Sequence, residues 1–145
     1  MDSSAAAIVA TLLFLLIFPL FWCGIVWLLA QIGGWARLAQ DFRTDKTPRG
    51  TPFHWQSGAV GWTSYRGVLQ LAAAPEGLFL SLPWLFRVGH APLFIPWSAF
   101  HDAVEQQILW LRQVRSDVGA SRVRLRLPAS VFAATDAGRH LIQAK

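Results

Sequence analysis

The hydrophobic and polar positions change character once along this chain. From Ala5 to Ala30 the sequence AAAIVATLLFLLIFPLFWCGIVWLLA carries no charge. A helix crossing a hydrocarbon core about 30 Å thick needs roughly 20 apolar residues, so this segment predicts one transmembrane helix. Beyond Pro52 the apolar runs become short and alternate between glycines and prolines, as β-strands do. Strands are predicted over Phe53–Trp62, Gly67–Ala73, Leu78–Val88, Leu93–Trp97, Phe100–Gln106, Ile108–Arg115 and Arg122–Leu127. The last is the most regular: Val123, Leu125 and Leu127 face one side and Arg122, Arg124 and Arg126 the other, as in a half-buried antiparallel strand. Ala129–Ile142 then predicts a closing amphipathic helix with Val131, Phe132, Thr135 and Leu141 at helical spacing, weakened late by Gly138.

Three regions follow: an anchor and flank over residues 1–38, a linker over 39–51, and a β domain over 52–145. The linker contains DFRTDKTPRGTP, whose prolines, glycine and mixed charge break regular structure. The domain has about 95 residues, enough for a single core. Leu78–Phe100 is dense in apolar residues but contains Arg87, His90 and three prolines, which argues against a second span. Contact of Trp84, Leu85 and Phe86 with the bilayer beside the anchor stays open.

Charge orients the chain. Arg37, Arg43, Lys46 and Arg49 follow the apolar run, whereas Asp2 is the one charged side chain before it. Lys and Arg collect on the cytoplasmic side, so the N-terminus is expected outside and the β domain in the cytoplasm. Trp35 and Arg37 fit an interfacial anchor, with Trp22 and Trp27 nearby and Pro19 placed to kink the helix. A cleaved signal peptide fits poorly, because MDSSAAA lacks a basic residue and Leu28 stands where cleavage after Ala30 wants a small one. The single cysteine, Cys23, forms no intramolecular disulfide, in keeping with a cytoplasmic domain. After Gly34 there are thirteen bases against seven acids, a balance that attracts the domain to an anionic leaflet. Nucleic acid is a poor partner for basic residues that alternate with apolar strand positions in a tethered domain.

The segments EGLFLS, beginning at Glu76, and FRVGHAPLFIPWSAF, Phe86–Phe100, resemble small bacterial single-pass membrane proteins with a PH/GRAM-like soluble domain. The order of about seven short strands and a C-terminal helix is similar to the PH-like superfold, a bent sheet barrel capped by that helix. The resemblance implies a mainly β fold at the bacterial inner membrane, a similarity of scaffold that does not determine function. The basic pocket by which PH domains hold phosphoinositides has no counterpart, since Phe53–Leu71 offers only Arg66 and His54 as cations.

Two constellations are candidates for lipid or partner contact. Arg122, Arg124 and Arg126 could engage phosphates or an acidic partner, or form a solvated outer face. Arg87 and His90 flank a turn and could hold an anion there, or serve only local backbone groups. Trp55, Trp62, Trp84, Trp97 and Trp110 are expected in the core or its collar, with room for one or two at an interface. No catalytic site, cofactor or metal centre is expected: His101 and Asp102 point to opposite faces of a strand, and His54, His90, His101 and His140 lack ligand spacing. The expected function is therefore a membrane-anchored, non-enzymatic binding or adaptor module that presents its β domain to a membrane-protein partner or an anionic lipid surface. The alternative is an accessory subunit of a larger membrane complex, contacted mainly through its helix.

Overall fold

The computed structural model describes residues 2–143; position 1 of the predicted anchor and positions 144 and 145 of the predicted domain lie outside the described residues. Helix α1 spans Ser3–Gly33, running through Pro19 without interruption. Asp2 caps it, its side chain accepting from the Ala5 amide at 2.8 Å. Gly34, in the left-handed region at φ 112°, ends α1 and starts helix α2, Trp35–Phe42. Strands β1 (Thr51–Val60), β2 (Thr63–Ala73), β3 (Gly77–Ser81), β4 (Leu93–Pro96), β5 (Phe100–Ile108), β6 (Leu111–Val118) and β7 (Val123–Pro128) follow, then helices α3 (Ala129–Ala133) and α4 (Asp136–Gln143).

The strands form one antiparallel sheet in the order β4-β3-β2-β1-β7-β6-β5, curled into a half-barrel. This is the expected fold class: an apolar N-terminal helix, seven strands and a helical C-terminus. The concave face is lined by Val60, Leu69, Leu71, Leu78, Leu80, Leu93, Ile95, Val114, Leu125 and Leu127, all buried. Trp97, Phe100 and Phe132 pack at centroid distances of 5.4 to 5.7 Å where α3 meets the sheet. Removing a core ring such as Phe132 costs about 3–5 kcal/mol.

Several boundaries depart from the pattern. The strand predicted over Leu78–Val88 stops at Ser81, because Pro83 leads into a single 3-10 turn at Trp84–Phe86. The β5–β6 turn falls at Leu109-Trp110, so Ile108 pairs with Leu111 and β6 runs on to Val118. The closing helix breaks into α3 and α4: the Thr135 hydroxyl accepts from the Gly138 amide at 3.0 Å, capping a new start.

The predicted linker is helical in its first part. One face of α2 buries Trp35 and Leu38 completely and packs Ala39 and Phe42 on the same core. Trp35 is thereby corrected from an interfacial anchor to a core residue. Its indole Nε1 donates to the Ala91 carbonyl at 2.9 Å, and with no exposed surface it reaches no lipid. Arg37, on the opposite face of α2, is exposed.

Helix α1 is fixed to the domain at three places. Where α1 ends, Trp62 N–H donates to the Gly33 carbonyl at 3.0 Å and the Thr63 hydroxyl to Leu29 at 3.3 Å. A Cβ on Gly61 would come within 1.5 Å of the Gly33 carbonyl oxygen, so only glycine fits that crossing. Gly89 lies against Trp27 and Ala30. Highest on the helix, Trp22 donates to the Leu85 carbonyl at 2.9 Å and its ring stands 5.5 Å from Phe86.

Candidate functional site

A concavity lies at the end of the half-barrel away from the foot of α1. Strand β1 pairs with β7 only at Ala59 and Val60. Nearer its start β1 splays away, leaving a cleft of about 800 Å³ lined by Trp55, Gln56, Trp110, Leu111, Ala133 and Ile142 among others. Trp55 sits in an irregular stretch of the β1–β2 ladder with φ 57°. Leu109 takes φ 57° at the first position of the two-residue β5–β6 turn, where glycine is the ordinary choice. A left-handed conformation costs a residue with a Cβ about 1–2 kcal/mol. Both positions spend that cost on a large apolar side chain left in solvent: Trp55 is 65% exposed, Leu109 76% and the adjacent Trp110 81%. Ile108 and Leu111 extend the patch, and Arg112 faces Glu105 at 3.8 Å on its rim.

This arrangement overturns the expectation for the tryptophans. Only Trp97 of the five is buried, its Nε1 donating to the Ala74 carbonyl at 2.8 Å. Trp55, Trp62, Trp84 and Trp110 are all exposed. Three of these stand in turns, where no alternating pattern dictates which way a side chain points, and the fourth is turned outward by its left-handed backbone.

The arginines separate. Arg122 lies in the β6–β7 turn at φ 49°, ahead of β7, so the ladder of three on one strand is reduced to Arg124 and Arg126. Arg122 pairs with Asp102 at 3.2 Å and approaches Asp117 at 3.9 Å, while Arg124 lies 3.8 Å from Asp117. Arg37 joins them from α2 around a shallow cleft beside Trp62. Three cations there face two carboxylates, leaving a small net positive charge. Arg126 stands apart and half-buried, opposite Arg115 of β6, with its Nε buried and lacking a hydrogen-bond partner.

Arg87 is exposed, and its Nε donates to the Leu82 carbonyl at 2.8 Å. His90, its predicted companion, is buried and only 1% exposed, which corrects its assignment as a surface contact. The His90 Nδ1–H donates to the Val88 carbonyl at 3.0 Å, and Nε2 accepts from the Tyr65 hydroxyl at 2.7 Å. The direction is assigned from the network, since a carbonyl can only accept. Trp35 stands edge-on to both rings. Burial holds the His90 imidazole below its usual pKa, partly offset by the Val88 carbonyl, and pushes the Tyr65 phenol up. The cluster locks α2 to the sheet with a neutral histidine.

Among the described residues no group of three or more His, Cys, Asp or Glu side chains is placed to hold a metal ion. No family model, curated protein or solved structure matches this chain.

Proposed function

We propose that this chain is a membrane-anchored, non-enzymatic binding module whose PH-like domain docks a protein partner through the cleft between Trp55 and Trp110. In this reading α1 holds the domain at the cytoplasmic face of the bacterial inner membrane. The single observation that carries the reading is that Trp55, at a strained backbone position, and Trp110, in the turn that Leu109 opens with its own left-handed backbone, both line one cleft with exposed indoles. Strain retained at exposed positions points to use rather than to folding. Exposed apolar patches of this kind, rimmed by polar groups, mark interaction sites. The strand order and helical C-terminus support the PH-like assignment.

A protein partner is favoured over an anionic lipid surface. The cleft opens roughly 17–23 Å from the Gly33–Gly61 junction, the length of strand between Val60 and Trp55 or between Val118 and Leu111, at the end of the sheet opposite the one where α1 joins it. The arginine cleft is also mostly answered by Asp102 and Asp117.

Native-membrane purification in mild detergent tests this directly. The unaltered chain is expected to co-purify with one stoichiometric protein, and the Trp55→Ser/Trp110→Ser double variant to be recovered alone. Retention of the same protein by that variant overturns the docking assignment. A chain recovered alone, whose binding to phosphatidylglycerol vesicles is lost on Arg122→Ser/Arg124→Ser substitution, moves the function to the lipid surface.

A further inference from the structure

We infer that the Pro83–Val88 turn is a membrane wedge, inserted beside α1 into the same leaflet as the C-terminal end of the span. The inference rests on α1 being a transmembrane helix. At 1.5 Å per residue a 31-residue helix is about 46 Å long, some 16 Å more than the hydrocarbon core. Which part of α1 lies in the core is therefore not fixed by length.

The distribution of exposed apolar residues along the helix guides the choice. Trp22, Val26, Ala30 and Gly33 recur at spacings of four, four and three and turn one face of α1 toward the domain, with Val26 and Ala30 buried. The other faces stay apolar and exposed down to Ile32: Ile25 41%, Trp27 50%, Leu28 50% and Ile32 60%. The opposite end is weaker in apolar surface, with Ser3, Ser4 and three alanines before Ile8. Seating Ile8–Leu28 in the core, roughly 31 Å of helix, shelters most of the strong apolar residues and leaves Trp27 at the interface, where tryptophan is favoured. Trp22 then lies about 9 Å above Leu28, within the acyl region, and Leu85 and Phe86 are held at its level.

The turn is built for that environment. Its outward side chains are Trp84, Leu85 and Val88, exposed by 77%, 48% and 37%, on either side of the Phe86 ring that meets Trp22 of α1. Irregular backbone at membrane depth is helped by internal pairing of its carbonyls, and five are paired here: Pro83 accepts from Phe86 N–H, Trp84 from Arg87 N–H, Leu85 from Trp22 Nε1, Arg87 from His90 N–H and Val88 from His90 Nδ1–H. The Arg87 guanidinium satisfies the Leu82 carbonyl through Nε and keeps its terminal nitrogens for headgroup phosphates, as arginines near a span do.

The test places an environment-sensitive fluorophore at single cysteines in a Cys23→Ser background, with the full chain in vesicles of phosphatidylcholine and phosphatidylglycerol. Labels at Trp84→Cys and Val88→Cys are expected to be quenched by spin-labelled acyl chains and shielded from iodide. A label at Phe18→Cys should be the deepest, and one at Trp110→Cys open to iodide. A deep Phe18→Cys label with Trp84→Cys and Val88→Cys as open to iodide as Trp110→Cys overturns the wedge alone. A Phe18→Cys label outside the acyl region overturns the spanning helix and the wedge with it.

Discussion

Trp22 and Leu85, 63 positions apart in sequence, meet through a 2.9 Å hydrogen bond from the indole Nε1 to the backbone carbonyl. It is the highest of the contacts that tie α1 to the domain, and it makes helix and domain one body rather than a tether and its load. Trp22→Phe keeps the ring contact with Phe86 and removes the donor. We expect a loss of about 1 kcal/mol, read as faster proteolysis or amide exchange in residues 83–90 with the sheet unchanged.

The junction at the foot of α1 is less forgiving. Gly61 has φ 59° and its missing Cβ is replaced by the Gly33 carbonyl oxygen. Gly61→Ala should separate α1 from the β1–β2 turn and destabilise the protein by several kcal/mol, at the upper end of single substitutions. Thermal unfolding in detergent checks this, with Gly24→Ala as a control whose Cβ meets nothing within 4 Å.

Acid should loosen the lock between α2 and the sheet. The folded His90 pKa lies below the ordinary 6.5 because burial disfavours the imidazolium, so on acidification the unfolded chain takes up its proton first. Stability is therefore full above about pH 6.5 and falls as the pH drops from there through the folded pKa. Denaturant unfolding at pH 7.5, 6.5 and 5.5 should show this decline, and His90→Gln should flatten it. Tyr65→Phe leaves Nε2 without its donor and should cost about 1–3 kcal/mol at neutral pH.

Leu109 separates stability from binding. Leu109→Gly relieves the left-handed strain and should stabilise the fold by about 1 kcal/mol, while removing an apolar contact at the hairpin tip. A higher unfolding midpoint with weaker partner recovery is the expected pair of results. A midpoint that falls would show that Leu109 packs in the fold rather than serving the surface.

The helix-led alternative is separable from the domain-led one at Trp22. Exchanging Ser3–Phe21 for an unrelated apolar helix leaves the contacts from Trp22 to Gly33 in place. Partner recovery should survive that exchange, and its loss would move the main contact onto α1.

The sequence made the long apolar helix legible because Ala5–Ala30 excludes charge over about 39 Å, more than the hydrocarbon core of a bilayer. It made β7 legible because Val123, Leu125 and Leu127 alternate with arginines. What it hid depended on distant residues or on backbone conformation. Trp35 reads as a flank residue until Tyr65 and His90 are brought around it, and His90 reads as a turn residue until Tyr65, 25 positions away, meets its Nε2. The outward tryptophans were hidden for a different reason: alternation says nothing about Trp62, Trp84 and Trp110 in turns, and a single left-handed residue at Trp55 reverses its direction. The α3–α4 break turned on one hydroxyl, that of Thr135, which a helical periodicity does not register.

Site-specific photocrosslinking in intact membranes probes the docking cleft itself, with a benzophenone side chain at Trp110 and, in a parallel chain, at Trp62. One discrete protein adduct is expected from position 110, lost when Trp55→Ser is added, and no such adduct from position 62. An adduct formed equally from both positions, or from 62 alone, would contradict docking at the cleft.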